Sequence, residues 1–159
     1  MPFKTHKAKK KIIFFLQFYN AEKNSKIFYD SKEKIFIIEI KKFRPFSMPR
    51  EELEKLSLEK AFCLIGEIFL SSIRDLIEDS LFRIEDSSAG EYGISIEFHM
   101  PRKDKDKIIL PLSVFYDGLM KTGCFDLSFK DFISFFLLGE EEKFINLCVK
   151  EIHSFFFSN

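Results

Sequence analysis

Three histidines are the side chains in this chain best suited to acid–base chemistry or metal binding. His6, His99 and His153 lie far apart in the sequence, outside the HExxH and CxxC spacings that mark many zinc sites. A catalytic triad requires a nucleophile, a histidine and a carboxylate that meet in space. Ser87 and Ser88 would reach His99 only if the segment between them folded back. The sequence therefore predicts no catalytic residue and no metal ligand, which favours a protein that is not an enzyme.

Carboxylates in pairs or triplets are the other groups able to do acid–base work or hold a divalent cation. They occur at residues 78–79, 85–86 and 140–142. Each group falls at the expected end of a helix, where solvent or the helix dipole accounts for it. The sequence contains no GxGxxG pattern and no P-loop, so the usual phosphate cradles are missing. We therefore expect the chain to carry no cofactor.

The segment 85–99 is the best place in the sequence for an alternative function. It combines carboxylates, two adjacent serines and His99. A small ligand-sensing or nucleotide-sensing domain, or a small enzyme, would have its site here. This alternative stays open beside the non-enzymatic interpretation.

Basic residues are concentrated at the start of the chain, although the formal net charge is zero. Residues 1–50 hold 13 Lys and Arg against 4 Asp and Glu, a balance of +9. Residues 51–91 hold 4 against 11, a balance of −7, and residues 92–159 hold 8 against 10. The simpler interpretation is that these segments offset one another in the folded chain.

A second alternative function is nonspecific nucleic-acid binding, in which a Lys-rich N-terminal arm contacts phosphates and releases counterions. The lysines that would make these contacts are Lys7, Lys9, Lys10 and Lys11. The neutral overall charge and the small number of Tyr and Trp residues make this alternative weaker.

Phenylalanine is the other unusual feature, with 22 Phe, 4 Tyr and no Trp among 159 residues. Phe contributes a large apolar area without a polar atom to satisfy, so it suits a buried core. Three phenylalanines lie together near the end of the sequence, and one helix can turn only part of such a cluster inward. An exposed apolar remainder usually marks an interface. The residues of this possible protein interface are Phe155, Phe156 and Phe157.

The absence of catalytic patterns and the abundance of apolar residues together favour a non-enzymatic protein-interaction module. An adaptor, an inhibitor or immunity-type protein and a chaperone-like protein all fit this description. The expected partner is another protein or a second copy of the chain, as in a homo-oligomer.

The elements that must position these residues follow from the hydrophobic pattern. The sequence predicts strands at 11–19, 26–30 and 34–42, a helix from Pro49 to about Phe82, a loop at 85–91, strands at 92–100 and 107–116, and two helices divided by Gly139. The order βββ-α-ββ-αα predicts an α+β fold. Its expected form is a largely antiparallel five-stranded sheet with one long amphipathic helix and a C-terminal helix pair.

Several single residues sharpen these boundaries. Ser57 and Ser128 are placed to cap helices that begin directly after them. Pro111 cannot donate to a β-ladder, so its strand is predicted to be an edge strand or to carry a bulge. Residues 1–10 are predicted to form a flexible basic arm, and residues 11–159 a single α+β domain.

Three cysteines without CxxC spacing are typical of a reducing compartment. The apolar run after Lys11 is short for a signal peptide, and no small-residue cleavage site follows it. No stretch approaches the 18 or so apolar residues that a spanning helix needs. We therefore expect a cytoplasmic protein without a membrane span.

Overall fold

The computed structural model describes residues 2–104 and 106–157, and its described side chains exclude those of residues 2–6, 155 and 157. Within that part of the chain it contains six α-helices and seven strands, with every strand pair antiparallel. The predicted α+β class is confirmed. The predicted five-stranded sheet is wrong, because the strands form one sheet of three strands and another of four.

The chain divides after Asp75 into two compact units. In the first unit the sheet order is β1-β2-β3, so that β2 is the central strand. The elements of this unit are α1 (Pro2–Phe18), a 3₁₀ turn (Glu22–Asn24), β1 (Ser25–Asp30), β2 (Ile35–Ile40), β3 (Phe46–Pro49), α2 (Arg50–Lys55) and α3 (Leu58–Ser72).

The division falls in the first turn of α4, and the rest of that helix belongs to the second unit. The elements from here on are α4 (Arg74–Tyr92), β4 (Ser95–Phe98), β5 (Arg102–Asp104), β6 (Lys107–Tyr116), β7 (Leu119–Ser128), α5 (Phe129–Leu137) and α6 (Glu141–Phe157). Strand β7 pairs with β6 along its whole length, so the shorter β4 and β5 share the other edge of β6. Whether the two units unfold together, as a single domain would, stays a prediction.

Residues 11–19 form no strand, and this prediction is wrong. They continue a helix that begins at Pro2, so the segment predicted as a flexible arm is helical in the described residues. An uninterrupted apolar run fits a buried strand and a buried helix equally well. The buried positions decide in favour of a helix, because they recur at spacings of three and four. They are Ala8, Ile12, Phe15, Leu16 and Tyr19.

The predicted loop at 85–91 is also wrong, since α4 continues to Tyr92 and buries Ser88 inside this segment. The long helix predicted from Pro49 is instead three helices, which end at Lys55, Ser72 and Tyr92. The predicted caps are confirmed. The Ser57 hydroxyl accepts the Lys60 N–H at 3.3 Å, and the Ser128 hydroxyl accepts the Asp131 N–H at 3.2 Å.

Pro111 lies in the central strand of its sheet, so the edge alternative of the prediction is wrong. The His99 N–H donates to the Pro111 carbonyl at 2.8 Å. In an antiparallel pair the N–H and C=O of one residue face the same neighbour. The missing N–H of Pro111 therefore faces the interval between β4 and β5, where the ladder is interrupted.

The core of the first unit is an aromatic cluster centred on Phe69, whose side chain is fully buried. Its ring stacks on Phe46 at 5.1 Å and meets Phe43 and Phe15 edge-on at 5.3 and 6.1 Å. These contacts join β3, α1 and the segment after β2 to one position of α3. The many phenylalanines of the sequence therefore serve the core here, as the composition indicated.

The three cysteines differ sharply in accessibility. Cys63 and Cys124 are exposed and Cys148 is buried. Burial raises the pKa of the Cys148 thiol to about 12, with a further contribution from Glu151. Because the thiolate is the reactive form, both the burial of Cys148 and its raised pKa protect it from modification.

We therefore expect a disulfide reagent such as dithionitrobenzoate at pH 8 to modify two thiols rapidly in the native chain. The third should react only after denaturant is added. A Cys148→Ser variant serves as the control and should keep both rapid thiols. Three rapid thiols in the native chain would contradict the burial of Cys148.

None of the helices in the described residues combines the length and the apolar composition needed to cross a membrane.

Candidate functional site

The end of the β6–β7 hairpin carries four large apolar side chains that solvent reaches. They are Phe115, Tyr116, Leu119 and Met120, with exposed fractions between 38% and 67%. We call these residues, with the intervening turn Asp117-Gly118, the hairpin tip. Large exposed side chains scattered singly are normal, but four of them at one hairpin end concentrate apolar surface in a single place.

The backbone of the hairpin tip holds these side chains in fixed pairs. Phe115 lies opposite Met120, and Tyr116 lies opposite Leu119. The turn residues Asp117 and Gly118 have φ angles of 51° and 76°. Two left-handed residues form the type I′ turn whose twist matches that of a hairpin. The tip is therefore a tight, regular end of the hairpin with a defined register.

The two pairs lie on opposite faces of the hairpin, because side chains alternate along a strand. The Tyr116–Leu119 pair continues the face on which Leu112 and Val114 are buried, whereas Phe115 and Met120 occupy the other face. A flat surface can cover only one face of the tip at a time. The arrangement fits insertion into a concave apolar groove, which would cover both faces at once.

The predicted C-terminal interface receives no support at the one position where its side chain is described. Phe156 is 6% exposed and belongs to the core. Its carbonyl accepts a hydrogen bond from the Lys121 ammonium at 2.7 Å, which satisfies a carbonyl at the end of α6. The side chains of Phe155 and Phe157 lie outside the described residues. An interface at these three residues therefore stays a prediction, without support from the exposure of Phe156.

The predicted phosphate contacts separate into two groups on α1. Lys7, Lys9 and Lys10 are exposed, as a phosphate contact requires. Lys11 is only 8% exposed and lacks the accessibility that a phosphate contact requires. Nucleic-acid binding by the exposed lysines stays a prediction.

The ammonium of Lys11 donates to three main-chain carbonyls at the end of α2. These are the carbonyls of Leu53 at 2.5 Å, Leu56 at 2.6 Å and Glu54 at 3.3 Å. The last carbonyls of a helix lack partners within the helix and carry partial negative charge, so a cation there is favourable. Burial lowers the pKa of Lys11, Lys7 lowers it further, and Glu54 raises it. Lys11 thus has a structural role in place of a phosphate contact.

The segment 85–99 does not assemble the nucleophile, histidine and carboxylate of a triad. Ser88 is buried in α4, and the His99 Nε2 lies 3.0 Å from the hydroxyl of Ser113 instead. Ser113 is only 7% exposed, and no carboxylate of the described residues contacts His99. A serine that a substrate cannot reach and a histidine without an orienting acid do not form an acyl-transfer site. The pair instead joins β6 to the residue that follows β4.

The remaining acid–base candidates have local explanations. Burial raises the pKa of Glu85, and the nearby charge of Glu97 raises it further. A hydrogen bond with the Phe98 backbone acts in the opposite direction. The ring of His153 stacks on Tyr92 at 4.1 Å, and the side chain of His6 lies outside the described residues. In the described part of the chain no three His, Cys, Asp or Glu side chains are grouped so as to hold a metal ion.

Sequence reasoning missed the hairpin tip, although its signal was present. An Asp-Gly pair flanked on both sides by apolar residues is the strongest short-range sequence signal for a hairpin. The sequence from Phe115 to Met120 has this form, with the exposed pairs directly beside the turn.

Comparison of the chain with protein-family models, with curated proteins and with solved structures finds no match.

Proposed function

We propose that the chain is a non-enzymatic protein-interaction module that inserts its hairpin tip into a concave apolar groove of a partner protein. The observation that carries this proposal is the exposure of four large apolar side chains on both faces of one tight hairpin. Adaptors, inhibitors or immunity-type proteins and chaperone-like proteins all act through such contacts.

The charge at the turn favours a protein partner over a lipid bilayer. Asp117 occupies the outermost part of the tip, so it would enter a membrane first. A carboxylate at the centre of a bilayer costs about 2.5–3.5 kcal/mol or more. A protein groove avoids this cost by placing a hydrogen-bond donor or a basic side chain opposite the turn. Aromatic residues and Met are also the types enriched in protein interfaces.

A photocrosslinking amino acid introduced at Leu119 tests the proposal in the cells that express the chain. The matched control is the same substitution at Leu138, because the two leucines are 67% and 71% exposed. We expect a discrete protein adduct from position 119 and none from position 138. An adduct of twice the mass of the chain would identify the groove as part of a second copy. Equal adducts from both positions, or none from either, would contradict the proposal.

Once the partner protein in the adduct has been identified, substitutions at the hairpin tip should weaken its binding. Leu119→Ser together with Met120→Ser removes apolar area worth about 2–4 kcal/mol if both side chains are buried by the partner. The dissociation constant should then rise roughly 30-fold or more. Far-UV circular dichroism of the double variant should be unchanged, since both side chains are exposed in the isolated chain.

A further inference from the structure

A cleft of about 560 Å³ opens in the first unit where the 3₁₀ turn meets the end of β2. Its charged lining consists of Lys23, Lys26, Lys41, Lys42 and Glu39. We call it the basic cleft. Four lysines against one glutamate give its lining a formal charge of +3. A concave surface with an excess of one sign of charge raises the local concentration of ions of the opposite sign.

Main-chain hydrogen bonds hold the two lysine-bearing segments together. The Lys41 N–H donates to the Asn24 carbonyl at 2.8 Å, which joins the end of β2 to the 3₁₀ turn. The Phe43 N–H donates to the Ile40 carbonyl at 2.9 Å and closes a turn that contains Lys41 and Lys42. These backbone contacts hold the two segments together although the like charges of their lysines repel one another.

Lys42 occupies a backbone position at which glycine would be less strained. Its φ is +77°, and it is the third residue of the four-residue turn that begins at Ile40. A turn of this form requires positive φ at that place and normally has Gly or Asn there. A bulkier residue held in the left-handed region is costly and is found preferentially at functional sites. Lys34 shares this strain at the other end of the β1–β2 hairpin. The position of Lys42 in the cleft beside three other lysines is therefore what makes it a candidate ligand.

We propose that the basic cleft binds the phosphate groups of a small phosphorylated molecule. Lysine ammonium groups are compact point charges and are common phosphate ligands. The volume of the cleft falls within the range of small-ligand sites. A single-stranded nucleic acid would in addition need exposed rings on which its bases could stack. The Phe43 ring in the lining is 8% exposed and packs against Phe69, so it is turned into the core.

Isothermal titration calorimetry with tripolyphosphate tests the proposal on the full-length chain. The test variant is Lys41→Gln with Lys42→Gln. The matched control is Lys32→Gln with Lys34→Gln, which removes the same charge from the other end of the β1–β2 hairpin. Lys34 also has a positive φ, of 56°, so the backbone setting is matched as well.

We expect the wild-type chain to bind tripolyphosphate at 50 mM salt, and more weakly at 300 mM because salt screens exposed charges. Each lysine in contact with a phosphate contributes roughly fivefold in affinity. The test variant should therefore bind at least about tenfold more weakly, and the control variant within about threefold of wild type. Equal losses of affinity in both variants would show that the effect depends only on net charge and would overturn the proposal. The absence of binding to the wild-type chain would also overturn it.

Lys42→Gly separates loss of binding from loss of folding. Glycine relieves the left-handed strain, so the melting temperature should stay the same or rise while the affinity for tripolyphosphate falls severalfold. A lower affinity accompanied by a lower melting temperature would assign Lys42 a structural role and contradict the proposal.

Two further titrations distinguish the source of the phosphate and the relation to the hairpin tip. A nucleoside triphosphate should bind at least as tightly as tripolyphosphate if the cleft takes a small phosphorylated molecule. Binding of a single-stranded oligonucleotide without binding of either small anion would overturn the proposal in favour of nucleic acid. The variant Leu119→Ser with Met120→Ser should retain tripolyphosphate binding, so each proposal can fail without the other.

Discussion

Replacing Phe69 with alanine is expected to lower the free energy of unfolding of the first unit by about 3–5 kcal/mol. The side chain is fully buried, and three aromatic rings from α1, β3 and the segment after β2 pack against it. Truncation removes the buried apolar area and leaves a cavity that rigid neighbouring rings cannot fill. Urea denaturation followed by circular dichroism measures the change. If the unfolding free energy depends on urea concentration with the same slope as in the wild type, the folded state is retained.

The matched control for this substitution is Phe82→Ala, because Phe82 is 67% exposed. Its effect should stay within about 0.5 kcal/mol, as for other surface substitutions. A loss at Phe69 no greater than that at Phe82 would contradict the aromatic core described above.

Hydrogen exchange in the same Phe69→Ala variant tests the predicted single domain. If the chain unfolds as one domain, protection should fall in both units, before and after the division at Asp75. Loss of protection confined to residues 2–75 would show two independently unfolding units and contradict the prediction.

Replacing Lys11 with methionine is expected to lower the free energy of unfolding by about 2–3 kcal/mol. Methionine has a similar length and an apolar stem, but it leaves three carbonyls at the end of α2 without their donor. Hydrogen bonds that involve a charged group are worth about 1.5–3 kcal/mol, and burial prevents water from replacing this one fully. Favourable interaction of the cation with the helix end adds to the loss.

Lys10→Met is the control, since it removes the same charge from the neighbouring, exposed position. It should change stability by less than about 0.5 kcal/mol. Hydrogen exchange provides a local readout, because the α2 amides should lose protection in Lys11→Met before those of β1 and β2. Equal effects of the two substitutions would show that the three carbonyl contacts contribute nothing.

The sequence was sufficient where a local pattern determines the local structure. The hydroxyls of Ser57 and Ser128 cap helices that begin beside them, and neither contact depends on distant residues. The segment 11–19 shows the opposite case. Its apolar run fits two kinds of element, and the choice depends on the burial of Ala8, which lies among lysines that resembled a tail.

Strand β7 could not be predicted from its own residues. Its sequence, LMKTGCFDLS, lacks a clear alternation of apolar and polar residues, and only Leu127 of its ten side chains is buried. Its structure is determined by the full-length pairing with β6 and by the Asp117-Gly118 turn that sets the register. The hairpin tip was missed for the same reason, because an unrecognised strand leaves its turn without a partner.

The role of Lys11 was beyond prediction for a different reason. Its three acceptors lie 42 to 45 residues further along the chain. Nothing in a single sequence relates a lysine to main-chain atoms at that distance. The Lys-rich context favoured a phosphate contact, whereas the amphipathic geometry of α1 turned this one lysine inward.

The contact between Lys11 and α2 also determines where the chain is free to diverge. Lys11 donates its hydrogen bonds only to main-chain oxygens, of Leu53, Glu54 and Leu56, which every amino acid supplies. These bonds therefore set no requirement on the side chains at the three positions, although the charge of Glu54 also favours the ammonium. The donor side has no comparable freedom, because only lysine presents three N–H groups from one atom on a long apolar stem. Evolutionary constraint from this contact therefore falls on one position of α1 and leaves the helix that it secures open to drift.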